Sequence, residues 1–168
     1  KSRELGHPVR VGLLGGSGHH YLAVMLGVMA SGSVIIPMDV QMDADTFCDC
    51  VSRSDEDVLF YDWDFRTLAE EAGSRCPALE ECISLQHGRH VACSDNILKN
   101  YAGRPVENLA KPEECAMILF TSGTTGRGKG VMLSHGNLID NVFCTTDTEH
   151  PENEIYLNVL PMHHVFCI

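Results

Sequence analysis

Apolar residues along this chain come in short runs that glycine and polar turns interrupt, and the period of each run names an element. Val9 to Leu14 (VRVGLL) predicts a strand that ends at the turn Gly15-Gly16-Ser17-Gly18. His19 to Ala30 then predicts an amphipathic helix, with Tyr21, Leu22, Met25, Leu26 and Met29 near one face and Gly32 as its stop. Ser33 to Pro37 (SVIIP) predicts a second strand. Asp43 or Asp45 is placed to cap a helix that runs through Val51, and Val58 to Tyr61 (VLFY) predicts a third strand. Arg66 to Ala72 continues with a helix. This β-α-β-α-β alternation predicts an α/β fold, a mostly parallel sheet with helices on its faces.

Residues 86–114 are polar and punctuated by Gly and Pro, and they predict an irregular connection with one short helix over Ser94 to Tyr101. Ala116 to Phe120 (AMILF) and Val131 to Ser134 (VMLS) predict strands entering and leaving a Gly-rich turn. Ser134 begins a helix over His135 to Thr145, and Ile155 to Leu160 (IYLNVL) predicts a buried strand. The final apolar run after Leu160 is read as a segment that packs against chain further downstream, so a fragment of a longer protein is expected.

Composition narrows the function classes. The 168 residues, 44% of them hydrophobic, have the size of one domain that buries a real core. A net charge of −11 argues against a nucleic-acid or anionic-membrane surface, so any phosphate site must be local. No run is long and apolar enough for a transmembrane helix. The eight cysteines lie scattered in apolar periodic segments and read as reduced thiols of a cytoplasmic protein. Cys48-x-Cys50 has no second pair at zinc-finger spacing, so no metal site is expected from them.

The turn between the AMILF and VMLS strands carries the chemistry. Gly123, Gly128 and Lys129 fit the start of a P-loop, but Gly130 stands where that loop needs the Ser or Thr hydroxyl that ligates Mg²⁺. A strand rather than a helix follows. The turn is therefore read as a strand-to-strand loop in which glycines bend the backbone while amides, hydroxyls and one lysine converge on an anion. A plain Gly-rich surface turn requires fewer hydroxyls. Elsewhere, the GGSG before His19 and His20 is not a dinucleotide fingerprint, because Tyr21 stands at its third glycine. Asp62 and Asp64, which flank Trp63, are read as helix-capping residues.

Three stretches carry a family resemblance. FTSGTTGRGKGVMLSHGNL resembles the phosphate-binding loop of the adenylate-forming superfamily, LPMHHVF resembles its next motif, and MASGSVIIPMD is similar to a segment upstream of both. Gly128 departs from the proline usual at its place. The resemblance implies a partial N-terminal AMP-binding domain over residues 1–168, with the rest of that domain and a C-terminal lid domain beyond it. It implies activation of a carboxylic acid by ATP through an acyl adenylate, with pyrophosphate release and then thioester formation with CoA. Within the superfamily, KGVMLSHGNL and LPMHHVF look most like long-chain fatty-acid CoA ligases. An amino-acid or aryl-acid adenylation domain is the alternative, and a P-loop-like NTPase or a nucleotide-binding module stands further off. By the same resemblance, Thr121, Ser122, Gly123, Thr124, Thr125, Gly126 and Lys129 would hold the β- and γ-phosphates, and Lys129 and His164 would act in catalysis. The principal Mg²⁺ ligand belongs to later motifs that these residues do not contain, so the fragment alone is expected to be inactive. The expected partners are ATP, CoA and a small carboxylic acid.

Overall fold

A computed structural model describes residues 7–86, 94–105, 107–121, 128–145 and 160–163. Its sheet contains β1 (Arg10–Leu14), β2 (Val34–Met38), β3 (Val58–Tyr61), β4 (Glu81–Ser84), β5 (Cys115–Thr121) and β6 (Lys129–Ser134) in the order β4-β3-β1-β2-β5-β6. The first five run parallel and β6 returns antiparallel to β5. Among the described residues five α-helices follow in chain order: α1 (His19–Ala30), α2 (Ala44–Arg53), α3 (Arg66–Arg75), α4 (Ser94–Tyr101) and α5 (His135–Thr145). The expected α/β architecture is present, down to the bounds of α1 and α4.

The two faces of the sheet have separate cores, because alternate residues of each strand point to opposite sides. On one face Leu14, Ile36, Met38 and Leu59 pack against Phe47, Cys48 and Val51 of α2 and Ala69 and Ala72 of α3. On the other, Val11, Leu13, Ile35, Met117 and Leu119 pack against Tyr21 and Met25 of α1. Each such side chain contributes about 1.5–3 kcal/mol on full burial, which is why the central strands read as nearly unbroken apolar runs. Asp43 caps α2, its Oδ1 accepting from the Thr46 amide at 2.9 Å.

One expectation is revised, one strand is added, and one expected strand falls almost wholly outside the described residues. The apolar face of α1 is narrower than its pattern: Tyr21 and Met25 are buried, whereas Leu22 and Leu26 point outward, Leu26 being 53% exposed. The strand β4 (ECIS) shows no alternation that marks it, and it forms because β3 offers it a backbone edge. Of the strand expected over Ile155 to Leu160, only Leu160 is described, and it lies in a bend.

At the amino-terminal edge of the strands polar groups cluster, with Ser54, Glu56 and Asp57 buried and Asp55 at the surface. The Arg10 amide donates to Asp57 Oδ2 at 2.7 Å, and the Arg10 guanidinium donates to the Ser54 carbonyl at 2.9 Å and to Asp55 Oδ2 at 3.1 Å. Glu56 is fully buried beside Gly12, where any Cβ would collide with its carboxyl group, so β1 requires glycine there. Ser54 Oγ donates to Glu56 Oε1 at 3.0 Å, while Oε2 has no partner. Burial without a counter-charge pushes the Glu56 carboxyl up to about 8.

Candidate active site

The carboxyl-terminal ends of the parallel strands share the opposite edge. From this edge β1 leaves toward α1 on one face, while its neighbours β2 and β3 lead to α2 and α3 on the other. Open α/β sheets bind ligands at such reversals. Here the turn after β1 is tied down from both sides. The Gly16 amide donates to Asp62 Oδ2 at 2.7 Å, and a Cβ at Gly15 would stand 2.7 Å from the same oxygen. Asp62 thus spans β3 and β1. It precedes a short 3-10 turn, Trp63–Phe65, but its side chain makes no capping bond there, so the capping role expected for it is replaced by this cross-strand one.

On the other side, Ser17 Oγ accepts from the Met162 amide at 3.0 Å, and His163 Nε2 lies 3.5 Å from Asp39 Oδ1 just past β2. Asp39 is held in place by the Gln41 amide, which donates to the same oxygen at 2.9 Å. The described part of the LPMHHVF stretch therefore rests on the carboxyl ends of β1 and β2. Met162 also packs on the α1 face of the sheet.

The hairpin of β5 and β6 reaches the same edge, because β5 runs parallel to β2. Thr121 pairs with Lys129 across it, and Thr121 Oγ1 lies 3.4 Å from the Lys129 carbonyl. Residues directly opposite in a ladder project to one face. Leu119 and Met117 lie on that same face in the α1 core, so Thr121 and Lys129 project on the side of α1 and Met162. Phe120 projects the other way and covers Gly130, its cross-strand partner. The strand then passes into α5 through a reciprocal cap: Ser134 Oγ accepts from the Asn137 amide and Asn137 Oδ1 accepts from the Ser134 amide, both at 3.1 Å.

Of the residues singled out in the sequence, Thr121 and Lys129 are thus brought together on one edge and one face. Ser122, Gly123, Thr124, Thr125, Gly126 and His164 lie outside the described residues. Sequence reasoning missed Ser17, Asp39 and the bridging use of Asp62. Only the long-range pairing of these residues reveals them; their local context is that of ordinary turn residues. Among the described residues no three His, Cys, Asp or Glu side chains are grouped to hold a metal ion.

Thr121 and Lys129 thus place one exposed hydroxyl and one exposed ammonium group on a hairpin at the carboxyl edge of a doubly wound sheet. The chain belongs to the AMP-binding enzyme family, whose profile matches residues 1–168. A malonate–CoA ligase of Arabidopsis thaliana is 26% identical over 162 residues, covering 93% of this chain and 26% of that protein. The peroxisomal long chain acyl-CoA synthetase 7 of the same plant is 47% identical over 57 residues, 33% of this chain and 8% of that protein. The solved N-terminal domain of FACL13 from Mycobacterium tuberculosis superposes with a TM-score of 0.74 at 20% identity, over 95% of this chain and 40% of that one. The chain thus spans well under half the length of the relatives it matches.

Proposed function

We propose that the protein to which these residues belong activates a carboxylic acid with ATP and passes the acyl group to CoA. One observation carries the reading: Thr121 and Lys129 pair at the carboxyl edge, on the face where Met162 and the start of α1 lie. In the reaction, a carboxylate oxygen attacks the α-phosphorus, the bond to the β-phosphate oxygen breaks, and pyrophosphate leaves carrying the charge. The CoA thiol, losing its proton, then displaces AMP from the acyl carbon. Lys129, Thr121, the hydroxyls of Ser122, Thr124 and Thr125 and the amides of Gly123 and Gly126 are assigned to the β- and γ-phosphates, where preset donors stabilise the charge that builds on the leaving group. His164 is assigned to the carboxylate and α-phosphate. Mg²⁺ would neutralise phosphate charge, and its principal ligand is assigned to chain beyond these residues.

A long-chain fatty acid is the preferred substrate on the strength of KGVMLSHGNL, LPMHHVF and the 47% identical stretch shared with a long chain acyl-CoA synthetase. The likeness to a malonate–CoA ligase supports a different acid, and aryl or amino acids remain the alternative class. A cytoplasmic setting is the reading of the six free cysteines among the described residues, three of which, Cys48, Cys50 and Cys76, are buried. No helix among these residues is long and apolar enough to cross a membrane.

The test is phosphate release from ATP by the full-length protein with a panel of fatty, dicarboxylic, aryl and amino acids. Acid-dependent pyrophosphate is the expected product, with the largest rate on a long-chain acid. Orthophosphate alone would overturn the adenylation chemistry, and a best rate on another acid would reassign the substrate. The 168 residues by themselves are expected to form no acyl-CoA.

A further inference from the structure

Two helices on one face of the sheet bring two thiols together. Cys48 lies on α2 and Cys76 directly follows α3, and both belong to the core of that face. Cys76 Sγ donates to the Cys48 carbonyl at 3.6 Å, across 28 residues of sequence, and the Cys48 thiol is in hydrogen-bonding contact with it. Ser52 Oγ, one turn after Cys48, donates to Cys76 Sγ at 3.3 Å. The backbone around the pair is fixed from outside. Arg75, next to Cys76, donates to Asp45 Oδ1 at 2.8 Å and to Glu71 Oε1 at 2.7 Å, which holds the end of α3 against the start of α2.

The pair is buried but within reach of solvent. Cys48 lines an open cavity of about 500 Å³ that Asp45, Asp49, Ser52, Arg75 and Gly128 also border. Gly128 bounds it on the hairpin side, its carbonyl accepting from Arg53 Nη1 at 2.7 Å. Cys76 does not border the cavity and is 1% exposed. A small oxidant therefore reaches one thiol, and the second stands in contact with it, which is the arrangement of an attacked thiol and a resolving one. Burial, reinforced by the neighbouring Cys76, pushes the Cys48 thiol up to about 11, and the Arg75 guanidinium offsets only part of this. The pair thus rests as protonated thiols near neutral pH and yields slowly. We propose that Cys48 and Cys76 form a reversible oxidation site, at which a peroxide converts the thiol pair to a disulfide that joins α2 to α3. The Cys48 sulfur, its proton lost to water, attacks one peroxide oxygen; the O–O bond breaks, one water leaves, and a sulfenic acid remains. The Cys76 sulfur then attacks the Cys48 sulfur, the S–O bond breaks, and the departing hydroxide takes the Cys76 proton to form a second water. Two thiols are oxidised to one disulfide and one hydrogen peroxide is reduced to two waters. Ser52 Oγ, donating to the Cys76 sulfur, steadies the charge on that sulfur as its proton leaves. The proposal uses no residue of the carboxyl-edge site and stands apart from the acid-activation reading.

The test treats the full-length protein with hydrogen peroxide, alkylates the remaining thiols in denaturant and maps the peptides by mass. The expected product is one cross-linked peptide pair carrying Cys48 and Cys76, which dithiothreitol separates. Cys76→Ser is expected to leave Cys48 as the sulfinic or sulfonic acid, because no thiol captures the sulfenic acid. Cys48→Ser is expected to leave Cys76 reduced and open to alkylation. Cys50 lines the same cavity and is expected to stay out of the cross-link. Three results would each overturn the site: Cys76 cross-linked to Cys50 or Cys82, Cys48 carried to the sulfinic acid in the parent with Cys76 still reduced, or both thiols fully alkylated at a peroxide dose that takes the exposed Cys144 to the sulfonic acid. The parent's cross-link decides the matter even if a serine variant fails to fold.

Discussion

The two edges of the sheet are both polar, yet they are built on opposite rules. At the amino-terminal edge Ser54, Glu56 and Asp57 are buried and bonded inward, and Arg10 closes the cluster against Ser54, Asp55 and Asp57. At the carboxyl-terminal edge the fixed bonds, Gly16 to Asp62 and Met162 to Ser17, hold backbone, while the Thr121 and Lys129 side chains stay exposed. Polar groups satisfied by their own fold stabilise a structure. Exposed polar groups held in register on a rigid edge are what a site requires.

The sharpest separation of the two edges is expected from Lys129→Ala. In a closed site, loss of one preset donor to a developing anion costs about 10²–10³ in kcat. Pyrophosphate release by the full-length variant measures this, and its urea midpoint is expected to match the parent, because an exposed side chain at a hairpin end supports little of the core. Equal rates in variant and parent would remove Lys129 from the site.

At the other edge the expected effects fall on stability. Gly12→Ala drives a methyl group into the Glu56 carboxyl, and overpacking of that kind costs about 1–3 kcal/mol in denaturant melts. Glu56 also makes this edge sensitive to pH. The folded protein keeps the Glu56 proton to about pH 8, whereas the unfolded chain releases it near the ordinary value of 4.5. Between these limits the folded state binds more protons, so stability is full below the lower value and falls as pH rises toward the upper, by at most about 1.4 kcal/mol per pH unit for one group. Glu56→Gln is expected to flatten that slope in melts at pH 5 and pH 8. The same slope in the variant would mean that Glu56 is ionised in the fold.

The smallest effect is expected from Asp55→Asn, which removes the charge and keeps a residue suited to the left-handed backbone at this position, φ 47°. Its ion pair with Arg10 has a carboxylate that is 74% exposed, and exposed pairs contribute about 0–1 kcal/mol, less in high salt. A loss well above that range would show that the amino-terminal edge acts as one cooperative network.

Much of this protein was legible before any fold was known. Continuous apolar runs mark strands that are covered on both faces, apolar runs on either side of a Gly-rich stretch mark β5 and β6, and a glycine after α1 and an aspartate before α2 mark helix ends. These signals act over a few residues, which is why α1 and α4 fall on their expected bounds. Tertiary structure decided the rest: that ECIS is a strand because β3 pairs with it, that Leu26 faces outward, and that Asp62 serves Gly16 rather than its own turn. The bonds from Gly16 to Asp62, Arg53 to Gly128 and Met162 to Ser17 join residues 46, 75 and 145 positions apart. No local propensity encodes a partner at that distance, because such a bond exists only once the sheet has brought the carboxyl ends of its strands to one edge.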